Sequence, residues 1–409
     1  MNESTDRLLV EWLAEGPDRG PSLGLERALA ATRRTPQRPG WAIPERWLPM
    51  QLALRPAFAP RPSLIFLAAA ILAATLASAL FLIGSQRHPA PPFGLAANGS
   101  IVVGIDGHLW LAGADGSGAG RLFLGQTFAS SPVYSPDGTR LAFKTRGAER
   151  TPWSVYAANP DGSAARSLTG DFPVVAWELD GPSWSPDGTT IAFSSSDHGI
   201  NRIYLVGTDG RGIVNALTGR DMDRRYPAFS PDGAWIAYKA TPLDSAQSTS
   251  LMIRRPDGSG ERRLVSVPWG DMSFSGAQWA ADSRRIAYFR GQGTHVVGMV
   301  DLDGHETVIS LPGEDAVNPA WSPDGTQLVY SVTDGSFVVD VGDPTKRLAI
   351  PGEFSDCGLA WAPDGTALIG IDHACTSLYR IPLDDPAGAR RIDIPEGVID
   401  AIAWQRIAP

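Results

Sequence analysis

The sequence predicts an all-β fold: a seven-bladed β-propeller of four-stranded blades, closed by pairing its N- and C-terminal strands. A transmembrane helix and a short, partly helical tail are predicted ahead of it. Three observations lead there. An aromatic residue followed by a Ser-Pro-Asp-Gly turn, or its remnant, recurs at Tyr134, Trp184, Phe229, Trp279, Trp321, Trp361 and Trp404 of the 409 residues. The steps between them are 50, 45, 50, 42, 40 and 43 residues, the length of a propeller blade. Short apolar-polar alternation follows each turn, and 44 Gly, 34 Pro and 13 Trp suit a turn-rich β protein better than a helical one.

In chain order, residues 1–62 form a tail too poor in large apolar groups to build a core, suited to partial disorder or to folding on a partner. Leu8, Leu9, Trp12 and Leu13 share one helical face, and Leu25, Ala28 and Leu29 suggest a second short helix. From Thr35 the proline content forbids a helix. Trp41 and Trp47 among arginines suit a membrane interface. The tail has no His and no Cys, which excludes a zinc module there.

Residues 63–84 follow, 22 residues without a charge. At about 1.5 Å per residue they span about 33 Å, enough for a hydrocarbon core of roughly 30 Å. Ala77-Ser78-Ala79 looks like a signal-peptide cleavage site, but the preceding segment is far too long for a signal peptide, so an uncleaved anchor is expected. Seven arginines against one acid between Arg27 and Arg61, with only Arg87 and His88 beyond the anchor, keep the N-terminus cytoplasmic. Residues 85–97 read as a Pro-rich spacer and 98–409 as an extracytoplasmic propeller. The formal net charge is −9, and residues 63–409 hold 26 basic against 37 acidic groups, so no nucleic-acid footprint is expected.

Within the propeller, the unit at Trp184 shows the pattern: PSWS, a turn, TTIAFSSS, a loop, RIYLVGT, a DG turn, then GIVNALTG. Residues 101–124 supply the second, third and fourth strands of a blade that lacks a first. The C-terminal VIDAIAWQR supplies a first strand with nothing after it. Joining them completes seven blades and removes the free sheet edges.

The run of aromatic-S-P-D-G-x-x-I-A-F/Y, then I-Y and D-G, then a basic-Leu-Thr strand, resembles the TolB-like (WD-repeat-like) β-propellers over about residues 98–407. The resemblance is specific for fold and poor for function. TolB itself has six blades behind an α/β domain, whereas this sequence has seven blades and an anchor. Some TolB-like propellers are pectin-degrading lyases that hold a metal with several histidines. Here His108, His198, His295, His305 and His373 are scattered without paired spacing. Propellers of this kind also precede the hydrolase domain of prolyl-oligopeptidase-like enzymes, but no G-x-S-x-G occurs and no residues remain after the closing strand for such a domain.

The repeated Asp137, Asp187, Asp232, Asp282, Asp324 and Asp364 read as hairpin-turn residues, since Pro presets the turn, Asp bonds its own backbone and Gly takes the left-handed position. At the opposite ends of the inner strands successive loops are acidic: Asp171, Glu178 and Asp180, then Asp221 and Asp223, then Asp271, then Glu314 and Asp315, then Glu353 and Asp356. They are expected to ring one mouth of the channel. Clustered oxygens suit a hard cation, but no calcium-loop spacing appears, so no metal or cofactor is assigned. Trp153, Trp177, Arg224, Arg225 and Trp269 lie in the same loops and suit a binding surface for a protein, peptide or glycan, while the tryptophans equally suit packing between blades. Cys357 and Cys375 flank the first two strands of the last full blade, on loops that share a face, and are expected to form a disulfide. The functional expectation is a non-enzymatic, membrane-anchored binding module at the bacterial cell envelope. The alternatives are a transmembrane, anti-sigma-like regulator whose tail engages a cytoplasmic partner, and a metal-dependent lyase-like enzyme.

Overall fold

Seven four-stranded antiparallel sheets follow one another along the chain and form the blades of a propeller. The computed structural model describes residues 94–407, apart from 123–127, 148–151, 173, 175–180, 198, 216–220, 245–247, 269–276, 292, 353 and 355–357. The tail 1–62, the apolar segment 63–84 and nearly all of the spacer 85–97 lie outside the described residues. Among the described residues no helix is long and apolar enough to cross a membrane.

Blade 1 is built from both ends of the domain. Its second to fourth strands are Ala97–Ile105, His108–Ala112 and Gly120–Arg121, and Ile399–Ile407 takes the first-strand place. The closing ladder runs from Ala97 opposite Ile407 to Ile105 opposite Ile399. The seven-blade closure read from the sequence is therefore the observed one.

Strand alternation builds the core as a ring of seams between blades. In Ala97–Ile105, Ile101 and Val103 pack with Ile369, Ile371 and Leu378 of blade 7, while Val102 packs with Leu141 and Phe143 of blade 2. Successive side chains point to opposite faces, so one strand serves two seams. All three residues are fully buried.

The repeated aromatic joins neighbouring blades. The indole Nε1–H of Trp184 donates to the Val133 carbonyl at 3.0 Å, Trp279 to Ala228 at 3.1 Å, Trp321 to Gln278 at 2.9 Å and Trp361 to Ala320 at 3.0 Å. Each acceptor precedes the corresponding aromatic of the blade before. Tyr134 breaks the series: its buried hydroxyl finds no hydrogen-bond partner among the described residues, and burial pushes its pKa above 10.

Candidate functional site

Two faces compete for function, and their local chemistry differs. The first face carries the Ser-Pro-Asp-Gly turns. At Ser185 the hydroxyl donates to Asp187 Oδ1 at 2.6 Å and accepts the Thr190 amide at 2.9 Å, while Asp187 accepts the Thr189 amide at 3.0 Å. The same serine-to-aspartate bond of 2.6 Å recurs at Asp137, Asp232 and Asp324. Asp282 accepts the Arg284 amide and pairs with Arg285, and Asp364 accepts the Thr366 amide and the Asn98 side chain. Each carboxylate is thus committed to its own turn or to its immediate neighbours.

The same face holds a further group around His305, one of the histidines scattered through the sequence. Asp301, Asp303 and His305 bring one ligand atom each within 4.8 Å of one another. Asp301 Oδ1 already accepts the amides of Asp303 and His305, both at 2.9 Å, and its Oδ2 lies 2.9 Å from His305 Nδ1. The local hairpin accounts for these contacts, and no metal role is assigned.

The opposite, entry face consists of the links into each first strand and the hairpins between second and third strands. Arg224 and Arg225 are neighbours on the first strand of blade 4, Met222–Phe229, so the strand period sends them to opposite sides. Arg224 turns inward, its side chain 4% exposed, and contacts Asp221 and, at 3.8 Å, Glu261. Glu261 also accepts the hydroxyl of buried Tyr238. Arg225 instead forks around Asp223 at 2.7 and 3.3 Å, and Asn201 of blade 3 donates to the same carboxylate at 2.8 Å. Asp223 therefore ties two blades at their rim.

A second tie joins blades 5 and 6. Asp315 accepts the His295 amide at 2.6 Å and lies 2.8 Å from its Nδ1. The amide bond, with the imidazole, holds the Asp315 carboxyl below its usual pKa. Burial opposes ionisation of the adjacent Glu314. The Leu311 amide at 2.9 Å, Arg347 at 2.7 Å and the Tyr330 hydroxyl at 2.9 Å outweigh it, so Glu314 also titrates low.

In blade 2, the Arg146 guanidinium carbon lies 4.8 Å from the ring centroids of both Phe128 and Trp153, and Lys144 Nζ lies 5.5 Å from Trp153. Trp153 is 9% exposed. An open aromatic contact surface and packing between blades were the two expectations for Trp153; the residue is buried in the same apolar cluster as Val174, with the cations of Arg146 and Lys144 beside its ring. The Arg224 side chain is buried as well, while its guanidinium reaches Asp221 of the entry face. Trp177, Asp180, Trp269, Asp271, Asp356 and Cys357 lie outside the described residues. Cys375 is disulfide-bonded, and Cys357 is the chain's only other cysteine.

Sequence reasoning passed over one feature of the inner strands. Ser131, Tyr226 and Asn318 have φ of 54°, 58° and 53°, each at a register shift and each followed by proline. A left-handed bulge is unusual for a tyrosine and for any residue before proline. The readable signal was a residue-Pro pair placed three positions before the repeated aromatic at Tyr134, Phe229 and Trp321.

Comparison with known proteins agrees with this architecture. An uncharacterized protein of Agrobacterium fabrum is 27% identical over 206 residues, covering 48% of this chain and 67% of its own. An uncharacterized peptidase of Bacillus subtilis is 26% identical over 219 residues, covering 49% of this chain, and the match spans only 29% of the peptidase. A TolB homolog of Chlorobium luteolum is 26% identical over 253 residues, covering 59% of this chain and about half, 51%, of that protein. The family model described as TolB beta propeller domain matches residues 106–339, more than half of the chain. With the blade turns and the closed ring in place, the chain belongs to the TolB beta propeller domain family.

Proposed function

We propose that this chain is a membrane-anchored, extracytoplasmic binding module that docks a protein partner at the bacterial cell envelope through its entry face. The observation that carries this reading is the pre-positioned charge at the rim, where Asp223 is gripped by Arg225 and Asn201, and Asp315 by His295. Side chains already held in one geometry lose little rotamer freedom on binding. The uncharged segment 63–84 supports the anchor, and a disulfide-bonded Cys375 suits the oxidising, exported side. In this reading the chain binds and does not catalyse.

The test is a pull-down from membranes with three forms: the intact chain, one lacking residues 1–58, and the intact chain carrying Asp223→Lys and Asp315→Lys. The expected result is one extracytoplasmic partner set, shared by the first two forms and lost with the third. Recovery of the same partners by the doubly substituted chain would sink the entry-face reading. A partner seen only when the tail is present would instead favour the signalling alternative.

A further inference from the structure

A cleft of about 370 Å³ lies where blade 7 meets blade 1, on the side of the Ser-Pro-Asp-Gly turns and away from the entry face. Its walls include Arg380, Arg390, Arg391, Ile392, Asn98 and Asp115. Arg380 and Arg390 sit directly opposite each other on the third and fourth strands of blade 7, Leu378–Pro382 and Arg390–Ile392. Leu378 and Ile392 are the next opposed pair in the same row, and both pack into the seam with blade 1. The strand period therefore turns both guanidinium groups toward that seam.

Like charges directly opposite on neighbouring strands oppose folding, and a counter-charge normally relieves them. Among the described residues, the side chains of Arg380, Arg390 and Arg391 have no hydrogen bond, ion pair or ring contact, whereas those of Arg224, Arg225, Arg285 and Arg347 each grip a carboxylate. The domain has acids in excess, so a missing partner here is not a matter of supply. Asp115 on the opposite wall is turned to its own hairpin, where its Oδ1 accepts the Ser117 amide at 3.0 Å, and it forms no ion pair with these arginines. Gly116, at φ 82°, holds that hairpin against Ile392 and keeps the wall in place.

We propose that this cleft is a binding site for a phosphate group carried on a small organic body. A single carboxylate satisfies one guanidinium fork, whereas the oxygens and charge of a phosphate match several. The volume exceeds that of a bare ion and falls in the range of small-molecule sites. The proposal is independent of the entry-face reading, since it concerns a different face and a different ligand.

The test uses the full chain and its Arg380→Ala, Arg390→Ala double variant, with thermal unfolding and calorimetric titration at fixed ionic strength. The probes are inorganic phosphate, glycerol 1-phosphate and glucuronate. The expected result is saturable binding of glycerol 1-phosphate, tighter than inorganic phosphate and glucuronate. In the double variant it weakens by about tenfold or more, as loss of charge-assisted bonds predicts. Without ligand the variant should melt at or above the temperature of the parent. No saturable phosphate binding, equal binding by the variant, or glucuronate binding as tightly as glycerol 1-phosphate would each overturn the proposal. A lower melting temperature of the unliganded variant would mark the arginines as structural and overturn it too.

Discussion

Removal of the closing strand tests the ring most directly. A chain ending at Val398 loses Ile399–Ile407 and with it seven paired positions against Ala97–Ile105. At roughly one hydrogen bond per position and about 1 kcal/mol net for each, the ladder is worth ~7 kcal/mol. Side-chain ties to the same strand go as well: Trp404 to the Gly99 carbonyl at 3.0 Å, Gln405 to the Gly138 carbonyl at 2.8 Å, and the Ser100 amide to Gln405 at 3.0 Å. Domains of this kind are stable by about 5–15 kcal/mol in total, so the loss is comparable to the whole. It also leaves Ala97–Ile105, with fully buried Ile101, Val102 and Val103, as an open edge. Urea unfolding followed by tryptophan fluorescence should show one cooperative transition for the full chain, and none, or aggregation, for the truncated one. A synthetic peptide of residues 397–409 added in trans should restore the transition by strand addition. If the truncated chain unfolds cooperatively within about 1 kcal/mol of the full chain, the view of closure as the keystone is wrong.

Four further outcomes are expected. Trp321→Phe removes the indole bond to the Gln278 carbonyl and should cost about 1 kcal/mol, a fall of a few degrees in Tm by calorimetry. Tyr134→Phe removes a buried hydroxyl without a partner among the described residues and should leave Tm equal or higher; a clear fall would show that the hydroxyl is bonded. Gly138→Ala and Gly188→Ala replace equivalent turn glycines with φ of 70° and 66°, but only at Gly138 does a Cβ collide with a backbone carbonyl, that of Arg406. Gly138→Ala should therefore be clearly the more destabilising of the two in urea. Finally, burial raises the carboxyl pKa of Asp137, Asp187 and Asp324, but the serine hydroxyl and the amide and hydroxyl of the following threonine more than reverse this, leaving each below 3.8. With the folded pKa depressed, their contribution is complete above about pH 4 and fades as pH falls through the folded values. The urea midpoint should drop with acid, and less steeply when all three are changed to asparagine.

Much of this molecule is legible without coordinates because a blade is a local object. Trp-Ser-Pro-Asp-Gly encodes its own turn, as Ser185, Asp187 and Thr190 show by bonding within six residues. Repetition of that unit counts the blades, and the orphan strands at the two ends imply closure. The candidate site was less legible, since what a rim side chain does depends on its neighbour blade. Arg224 and Arg225 look alike in sequence, yet strand alternation buries one and leaves the other gripping Asp223. Trp153 reads equally as a surface aromatic and as a packing residue until the Arg146 guanidinium is seen over its ring.

The sequence by itself determined the blade number, the turn chemistry and the joining of the chain ends, because each follows from short-range hydrogen bonding and a period of about one blade. Only the tertiary structure decided which chemically identical positions differ. Gly138 touches the closing strand where Gly188 meets only the end of an arginine side chain. Arg380 and Arg390, ten residues apart, become opposed charges over a cleft. Those distinctions arise across seams between blades, where the contacting residues are far apart in the chain and no local pattern records them.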